Sequence, residues 1–379
     1  MRFVTDASGS RADGGHHLRR IEVVIGLTIL VGILGTLIGV EGLLRAQASA
    51  QFGNPEAAFE FSALYSRDAS TGLYRLNPGA RSGKISVNGY GFRGPEIAPQ
   101  TGGKIVQIAF IGHSTTLDPY SGETENWPYL VSRGIGADMP DCRVEFMNGG
   151  VPGYATGGMI RYFDAYIRPH KPVLTFLLTA DYNINLNRQA KAQGLATYAD
   201  RSPDWLADNS LLIAKVQKNS RAVALMRAAY SNAGKLVPNW TQLESEFNKT
   251  MTDAITKIAG SSRLVAVLTT AYRLRRDQSR AEQLSSAETE LAFAPYLSIP
   301  QFIEAQGRLN RVVEAAARKS DAVLIADENS VPGTAQYYAD SNHFTPAGSR
   351  AMAERVMRQL HRSKQYRNLV EELERRCRV

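Results

Sequence analysis

Cysteine is the scarcest residue type in this chain, which has only Cys142 and Cys377 among its 379 residues. The two lie far apart, and no Cys/His spacing typical of a metal site is present, so the sequence predicts neither a disulfide framework nor a metal centre. In residues 350–379, where basic residues are concentrated, Tyr366 is the only aromatic side chain apart from histidine. Nucleic-acid binding is disfavoured because such sites interleave aromatic and basic side chains. No cofactor is expected either.

Basic residues are unevenly spread along the chain. The whole sequence has a formal net charge of +8, and residues 350–379 alone contain nine Arg or Lys against four Glu. This pattern predicts a solvated basic helix over residues 363–379, of the kind that can touch anionic lipid or polysaccharide.

An uncharged run of 18 residues, Val23 to Val40, lies near the N-terminus. It is just long enough to cross a bilayer, and we expect a transmembrane anchor over residues 21–45. Arginines dominate the charge of residues 1–20, which predicts that this end stays in the cytoplasm and the bulk of the protein lies outside it. A cleavable signal peptide is the alternative, because Ala48 to Ala50 read Ala-Ser-Ala; the length of the apolar run favours a retained anchor.

The rest of the chain divides into regions that differ in composition and in hydrophobic pattern. Residues 46–103 are rich in Gly, Asn, Pro and Ser and predict a small β-rich connecting segment. Residues 104–362 then alternate apolar runs with amphipathic stretches, which is typical of a parallel sheet between two helical layers. Residues 186–240 exceed an ordinary connection and predict an insertion that acts as a lid or substrate wall. The strand predictions are 104–112, 143–150, 172–180, 263–272 and 322–329; the helix predictions are 156–168, 241–259, 301–320 and 346–362.

Chemically useful residues follow several predicted strands. Because the carboxyl ends of parallel strands share one edge, these residues are expected to lie close together. A serine, a glycine amide, a side-chain amide and an imidazole with a carboxylate partner are the groups that acyl transfer through a serine ester requires. They are Ser114; Gly149, Gly150 and Gly153; Asp181, Asn183 and Asn185; and Asp340 with His343.

These motifs resemble the SGNH/GDSL hydrolase family, in particular its membrane-anchored bacterial members. "GHS" contains Ser114, "NGGVPG" contains Gly150, and "DSNH" contains Asp340 and His343. The resemblance implies a three-layer α/β/α, flavodoxin-like domain with Ser114 as nucleophile, His343 as base and Asp340 as its orienting partner. It also implies an oxyanion hole formed by the Ser114 amide, Gly150 and Asn183, although Asn185 is an alternative and the side-chain amide could be missing.

The sequence departs from the family pattern at two places. His113 stands where the family has an aspartate, which removes a carboxylate expected to organise the nucleophile loop, and "TADYNIN" lacks the family's Gly-x-Asn-Asp. The segment "NGYGFRG", residues 88–94, resembles a stretch that often precedes the catalytic domain in anchored members.

The function implied by the resemblance is that of a periplasmic acyl ester hydrolase, an esterase or deacetylase, on an acylated glycan or lipid, anchored in the inner membrane. An O-acetyltransferase acting on an envelope or exported polysaccharide is the first alternative, since both reactions share one acyl-enzyme. A non-catalytic scaffold or glycan-binding protein with the same fold is the second. A membrane-bound acyltransferase or a polysaccharide-export protein is the expected partner.

Overall fold

The computed structural model describes residues 13–52, 64–98, 104–179, 182–195, 197, 209–217, 225, 228–233 and 235–378. The first element is a long helix, α1 (Asp13–Phe52). Its stretch Glu22–Ala50 has a mean hydropathy of 2.6, and its apolar window is not buried by the rest of the protein. This helix is therefore long and apolar enough to span a membrane. It continues through residues 46–52, which were predicted to begin the β-rich segment.

Two short antiparallel strand pairs follow α1 in the described chain. They are β1 (Tyr65–Arg67) with β2 (Tyr74–Leu76), and β3 (Arg81–Ser82) with β4 (Ile85–Ser86). Leu64, Leu76, Ile85 and Val87 of this small segment are buried together with Leu117, which lies in the main domain. The segment is thus packed onto the main domain instead of forming a free linker.

A five-stranded parallel sheet forms the centre of the protein. Its strands are β5 (Ile105–Gly112), β6 (Arg143–Gly150), β7 (Leu174–Leu178), β8 (Leu264–Leu268) and β9 (Val323–Ile325). Their spatial order is β6-β5-β7-β8-β9, and each neighbouring pair is parallel. Numbered within the sheet this order is 2-1-3-4-5, the doubly wound order of flavodoxin-like folds. All five predicted strands are present.

Helices cover both faces of the sheet, and alternate residues of its strands belong to two different hydrophobic cores. The helices are α2 (Ser114–Leu117), α3 (Trp127–Asp138), α4 (Thr156–Tyr162), α5 (Tyr182–Ala192), α6 (Trp240–Ala259), α7 (Arg280–Phe293), α8 (Ile299–Arg318), α9 (Pro346–Arg362) and α10 (Lys364–Arg378). In β5, Val106, Ile108 and Phe110 belong to a core shared with α3, α9 and α10. Ala109 and Ile111 belong to a second core shared with α4, α6 and α8. The predicted three-layer fold class is confirmed.

The described parts of the predicted insertion 186–240 pack against the chain that follows β8. Leu186 and Leu236 are buried in a third core with Leu291, Tyr296 and Phe302. The insertion is therefore attached to α7 and α8. Residues 198–208 and 218–224 lie outside the described residues, so a lid role for this insertion stays a prediction.

The C-terminal helix α10 differs from the solvated helix that its charge predicts. Tyr366, Leu369, Leu373 and Cys377 are buried along one side of it and join the core that also contains α3 and α9. These positions are spaced by three and four residues, so they form one apolar stripe on a helix whose other side is charged. The prediction of a solvated helix is wrong because these few apolar residues share one face.

A disulfide joins Cys142 to Cys377, across 235 residues of sequence. Cys142 immediately precedes β6, so the bond fastens the end of α10 to the edge of the sheet where its strands begin, here called the amino edge. The sequence implied no disulfide framework, because two cysteines so far apart can pair only when the fold brings their segments together.

Candidate active site

Ser114 lies at the opposite edge of the sheet, the carboxyl edge, immediately after β5. His113 is the N-cap of α2, and its Nδ1 accepts a hydrogen bond of 3.3 Å from the Thr115 amide. Ser114 is the first residue of this one-turn helix, which ends at Asp118 in the left-handed conformation (φ 59°). The strand-to-helix turn thus places the Ser114 side chain at the edge where the sheet ends.

The structure brings together Ser114, His343 and Asp340. His343 Nε2 lies 2.7 Å from Ser114 Oγ, and His343 Nδ1 lies 2.7 Å from Asp340 Oδ2. Asp340 Oδ1 accepts hydrogen bonds from the backbone amides of Asn342 and His343, at 3.0 and 2.9 Å. Because the carboxylate accepts a hydrogen bond from Nδ1–H, Nε2 carries no proton and is left to accept a hydrogen bond from the Ser114 hydroxyl.

The loop that carries Asp340 and His343 is held at both ends. Tyr338 and Phe344 form an antiparallel bridge across it. Thr345 caps α9 by accepting from the Gly348 amide at 3.2 Å, and Pro346 is the first helical residue. The predicted start of α9 is confirmed, and it explains how a short turn holds an imidazole in one place.

Electrostatics favour an ion pair between Asp340 and His343 once His343 takes a proton. Burial opposes ionisation of Asp340, but the His343 charge, its hydrogen bond and two amides outweigh burial and lower the Asp340 pKa to about 2. Burial likewise opposes protonation of His343, yet the Asp340 charge and hydrogen bond raise the His343 pKa above its ordinary value. Asp340 is therefore ionised across the physiological pH range, and His343 is a stronger base than a free imidazole.

The Gly150 amide, predicted as an oxyanion donor, already has an acceptor. It donates to Asn148 Oδ1 at 3.0 Å. A Cβ at Gly150 would clash with the Leu117 amide nitrogen, so the glycine is needed for close approach of β6 to α2. Gly153 differs: its φ is +77° and nothing lies within 4 Å of a Cβ built on it. Within the described residues, the amides of Ser114 and Gly153 donate no backbone hydrogen bond.

The third predicted group cannot be located from side-chain contacts. Asp181 and the Asn183 side chain lie outside the described residues, although α5 includes position 183. The Asn185 side chain accepts from Arg188 and lines a cavity that also contains Trp240 and Phe247. The side-chain amide of the oxyanion hole therefore stays a prediction.

Arg93, from the "NGYGFRG" segment, is a buried residue whose role the sequence did not reveal. Its guanidinium donates to the backbone carbonyls of Leu117, Asp118 and Ser121, at the end of α2 and in the chain that follows it. Its own backbone also bridges to Asn148 of β6. The small N-terminal segment thus supplies a buried cation whose hydrogen bonds hold the Ser114 loop in place.

Asp118 joins the Ser114 loop to α9, the helix that follows His343. Its carboxylate accepts from the Trp127 amide at 3.0 Å and from the hydroxyl groups of Ser121 and Ser349, the latter in α9. Burial raises the Asp118 pKa to about 6, although the Arg93 charge and these hydrogen bonds act against the rise. One buried carboxyl group therefore fixes α2 relative to α9, and with them Ser114 relative to His343.

Arg93→Met is expected to lower the free energy of unfolding by roughly 2–4 kcal/mol, because it leaves buried carbonyls and the Asp118 carboxyl without their cation. Urea denaturation measures the loss. Arg81→Met is the matched control, since Arg81 is an exposed residue of the same segment and its replacement should change stability little. Equal stabilities for the two variants would contradict a structural role for Arg93.

His113 caps α2, although it is not a carboxylate. Its Nδ1 supplies the acceptor for the Thr115 amide at the first turn of the helix. Burial, with a smaller contribution from the His343 charge, lowers the His113 pKa to about 3, which keeps the ring neutral. With Nδ1 accepting, the ring proton lies on Nε2, which is buried and has no partner among the described residues.

His113→Ala is expected to lower stability by about 1 kcal/mol or more, because the first turn of α2 loses its cap. His113→Asn should recover about 1 kcal/mol relative to alanine, since the asparagine Oδ1 can accept from the Thr115 amide. Thermal unfolding of the two variants checks the difference. A cap role is excluded if alanine and asparagine are equally stable.

Glu290, in α7, is a buried acid that sequence reasoning missed. The amides of Thr289 and Glu290 donate to Ser341 Oγ at 3.2 and 3.3 Å, which fastens α7 to the loop between Asp340 and His343. Glu290 Oε1 is buried and has no hydrogen-bond partner among the described residues. Burial first and the Asp340 charge second raise the Glu290 pKa to about 7, although His343 acts in the other direction.

Comparisons with known proteins identify no family for this chain. No family model matches it, and no curated protein matches it. Similar solved structures include LAE5, an α/β hydrolase from the metagenome of Lake Arreo in Spain, with 14% identity, a TM-score of 0.41 and coverage of 67% of this chain and 94% of that one. A tryptophan-to-isoleucine variant of Axe2, an acetyl xylan esterase from Geobacillus stearothermophilus, has 13% identity, a TM-score of 0.42 and coverage of 68% and 96%. Axe2 itself has 11% identity and a TM-score of 0.41, with coverage of 67% and 93%.

Proposed function

We propose that this protein is a serine-dependent acyl ester hydrolase in which Ser114 is the nucleophile, His343 the general base and Asp340 its orienting partner. The observation that carries the proposal is the unbroken hydrogen-bonded line from Ser114 Oγ through both His343 nitrogens to Asp340 Oδ2, with 2.7 Å at each step. Three groups from two distant parts of the chain meet in the order that nucleophilic catalysis requires.

The geometry supports a two-step reaction. Ser114 Oγ bonds to the acyl carbon of an ester while its proton passes to His343 Nε2. The bond to the alcohol oxygen then breaks, and Nε2 returns the proton to that oxygen. A water molecule attacks the acyl-enzyme in the same way, which releases a carboxylic acid and restores Ser114. Asp340 accepts a hydrogen bond from Nδ1–H throughout and stabilises the imidazolium.

The developing oxyanion needs donors near the acyl carbon. The Ser114 amide is one proposed donor, because it has no backbone acceptor among the described residues. The Gly153 amide is a second proposed donor, since it shares this property and the space beside it is open. Gly150 is a weaker choice because its amide is bonded to Asn148. Each correctly placed donor typically contributes about a hundredfold to a thousandfold in rate.

The proposed location is extracytoplasmic, with α1 as a single-pass anchor in the inner membrane and the catalytic domain in the periplasm. The apolar helix and the arginines before it support this orientation. The Cys142–Cys377 disulfide supports it independently, because such bonds persist in oxidising compartments and are rare in the cytoplasm. An acylated glycan or lipid of the cell envelope is the proposed substrate class.

A serine-directed fluorophosphonate probe tests the nucleophile, and p-nitrophenyl acetate tests turnover. Wild-type protein should be labelled and should release p-nitrophenol, and Ser114→Ala should do neither. Adding an oligosaccharide acceptor tests transfer, because the same acyl-enzyme can pass its acyl group to a sugar hydroxyl. A folded wild-type sample that is neither labelled nor active would exclude the esterase and favour a binding or scaffold protein.

The pH dependence of kcat/KM should report His343. Its pKa is raised, so activity should fall as the pH falls through a midpoint above about 6.5, where the ring becomes protonated and can no longer accept the Ser114 proton. The Glu290 charge contributes to this rise. Glu290→Gln is therefore expected to move the midpoint to lower pH. An unchanged or higher midpoint in this variant would show that Glu290 does not act on His343.

A further inference from the structure

The membrane helix α1 contacts the insertion through one carboxylate. Glu41 is the first residue after the uncharged run Val23 to Val40. It accepts hydrogen bonds from the Leu211 and Leu212 amides, at 3.2 and 2.8 Å, and from Ser210 Oγ at 3.1 Å. Arg45 pairs with Glu41 at 2.8 Å and donates to the Asn209 carbonyl at 3.2 Å. Residues 209–217, here called the anchor-bound segment, are thus held to α1 by several hydrogen bonds.

The position of Glu41 along α1 sets the depth of this contact. An uncharged run of 18 residues spans about 27 Å as a helix, close to the thickness of the hydrocarbon layer, which is about 30 Å. Glu41 therefore lies where α1 leaves the hydrocarbon. The anchor-bound segment, which bonds to Glu41, must lie at the level of the lipid headgroups.

The composition of the anchor-bound segment suits that level. Residues 211–217 are helical, and Leu211, Leu212 and Ile213 are half-buried. Val216 is 58% exposed, and the exposed cation Lys215 precedes it. A short helix with apolar side chains and a basic residue is typical of segments that lie in the interfacial plane of a bilayer.

Two other exposed apolar side chains lie where the insertion packs against the end of α7. In the described chain beyond α1, the exposed large hydrophobic residues other than tyrosine are Val216, Val237 and Phe293. Val237 belongs to the insertion, and the amide of the preceding Leu236 donates to the Tyr296 carbonyl, near the end of α7. α5 follows β7 and α7 follows β8, so both join the sheet at the carboxyl edge, which also carries Ser114.

We propose that the anchor-bound segment together with Val237 and Phe293 forms a membrane face that rests on the interfacial layer of the bilayer, so that the carboxyl edge opens beside the membrane surface. The occupant is a lipid bilayer because the face is bonded directly to the helix that crosses it. The inference depends on the proposed membrane anchor, and it directs the active site to esters presented at that surface.

The basic helix α10 belongs to the other edge of the sheet. Arg376 donates to the Ile105 carbonyl at the start of β5, and Cys377 is bonded to Cys142 just before β6. The membrane face therefore differs from the surface that net charge alone would predict to contact anionic lipid. An arrangement with α10 on the membrane would turn the carboxyl edge away from it.

Site-specific quenching in vesicles tests the membrane face. An environment-sensitive fluorophore is attached to the cysteine of the Val216→Cys variant of the full chain. The native cysteines are disulfide-bonded and take no label. The protein is placed in phosphatidylcholine–phosphatidylglycerol vesicles with and without lipids that carry a quencher near the headgroup. Lys319→Cys is the matched control, an exposed position between α8 and β9 at the amino edge.

The proposal expects most of the fluorescence at position 216 to be lost with quencher lipid, and little loss at position 319. Glu41→Ala should restore part of the signal at position 216, because the segment loses its acceptor. No quenching at position 216, or equal quenching at both positions, overturns the membrane face, and the first result favours a protein partner instead. Vesicle flotation separates the two proposals: failure to float overturns the anchor as well, whereas floating protein without quenching overturns the membrane face alone.

Discussion

Ser114→Ala is expected to lower kcat on p-nitrophenyl acetate by roughly four to six orders of magnitude, because no other group can form the acyl-enzyme at this position. Asp340→Asn should lower kcat by about four orders of magnitude, since an amide in place of the carboxylate favours the wrong histidine tautomer. Both variants should remain folded, because Ser114 and Asp340 are only partly buried and the Asp118 contacts are intact.

Initial-rate kinetics with circular dichroism as a folding check measure these losses. Ser285→Ala provides a matched serine control on the exposed side of α7, and its rate should equal that of the wild type. A folded Ser114→Ala protein that retains the full rate would place the nucleophile elsewhere. Equal activities for Asp340→Asn and wild type would show that His343 needs no orienting carboxylate.

Removal of the disulfide is expected to lower the free energy of unfolding by roughly 2–5 kcal/mol. The bond joins residues that are 235 positions apart, so its loss raises the conformational entropy of the unfolded chain, while the buried side of α10 still packs on the core. Wild-type protein should unfold at a lower urea concentration with reductant than without it. Esterase activity in the absence of denaturant should change little, because the bond lies at the edge opposite Ser114.

The double variant Cys142→Ser/Cys377→Ser is the control for the reductant itself. Its unfolding midpoint should resemble that of the reduced wild type and should not respond to reductant. A wild-type midpoint that is the same with and without reductant would mean that the bond contributes nothing to stability. Mass spectrometry of the non-reduced protein checks that the bond has formed.

The sheet could be predicted from the sequence because buried parallel strands have a local signature. Runs such as Ile105–Gly112 and Leu264–Leu268 are apolar throughout, and turn residues or polar helix starts separate them. Helices with weaker signals were missed, namely α3, α5 and α7. α3 contains Pro128 and two glycines, and α7 has a mixed surface whose clearest local signal is the capping box of Ser279 and Glu282.

The candidate site was predictable only in part. Ser114, Asp340 and His343 lie in short motifs, so their residue types and order could be read directly. Arg93 and Glu290 could not, because their importance depends on burial beside the Ser114 loop and the His343 loop, and burial of a charged residue leaves no local pattern. The pairing of Cys142 with Cys377 could not be predicted for a similar reason, since only the folded chain brings α10 to the start of β6.

The packing of residues 64–98 under α2 has a practical consequence for recombinant work. A water-soluble version of this protein that begins at the first strand of the sheet would omit Arg93 and expose Leu117. Its Ser114 loop should therefore be poorly ordered. Starting at or before Leu64 retains these residues while still removing the apolar helix. The smallest stable unit is therefore expected to be larger than the sheet and its helices alone would indicate.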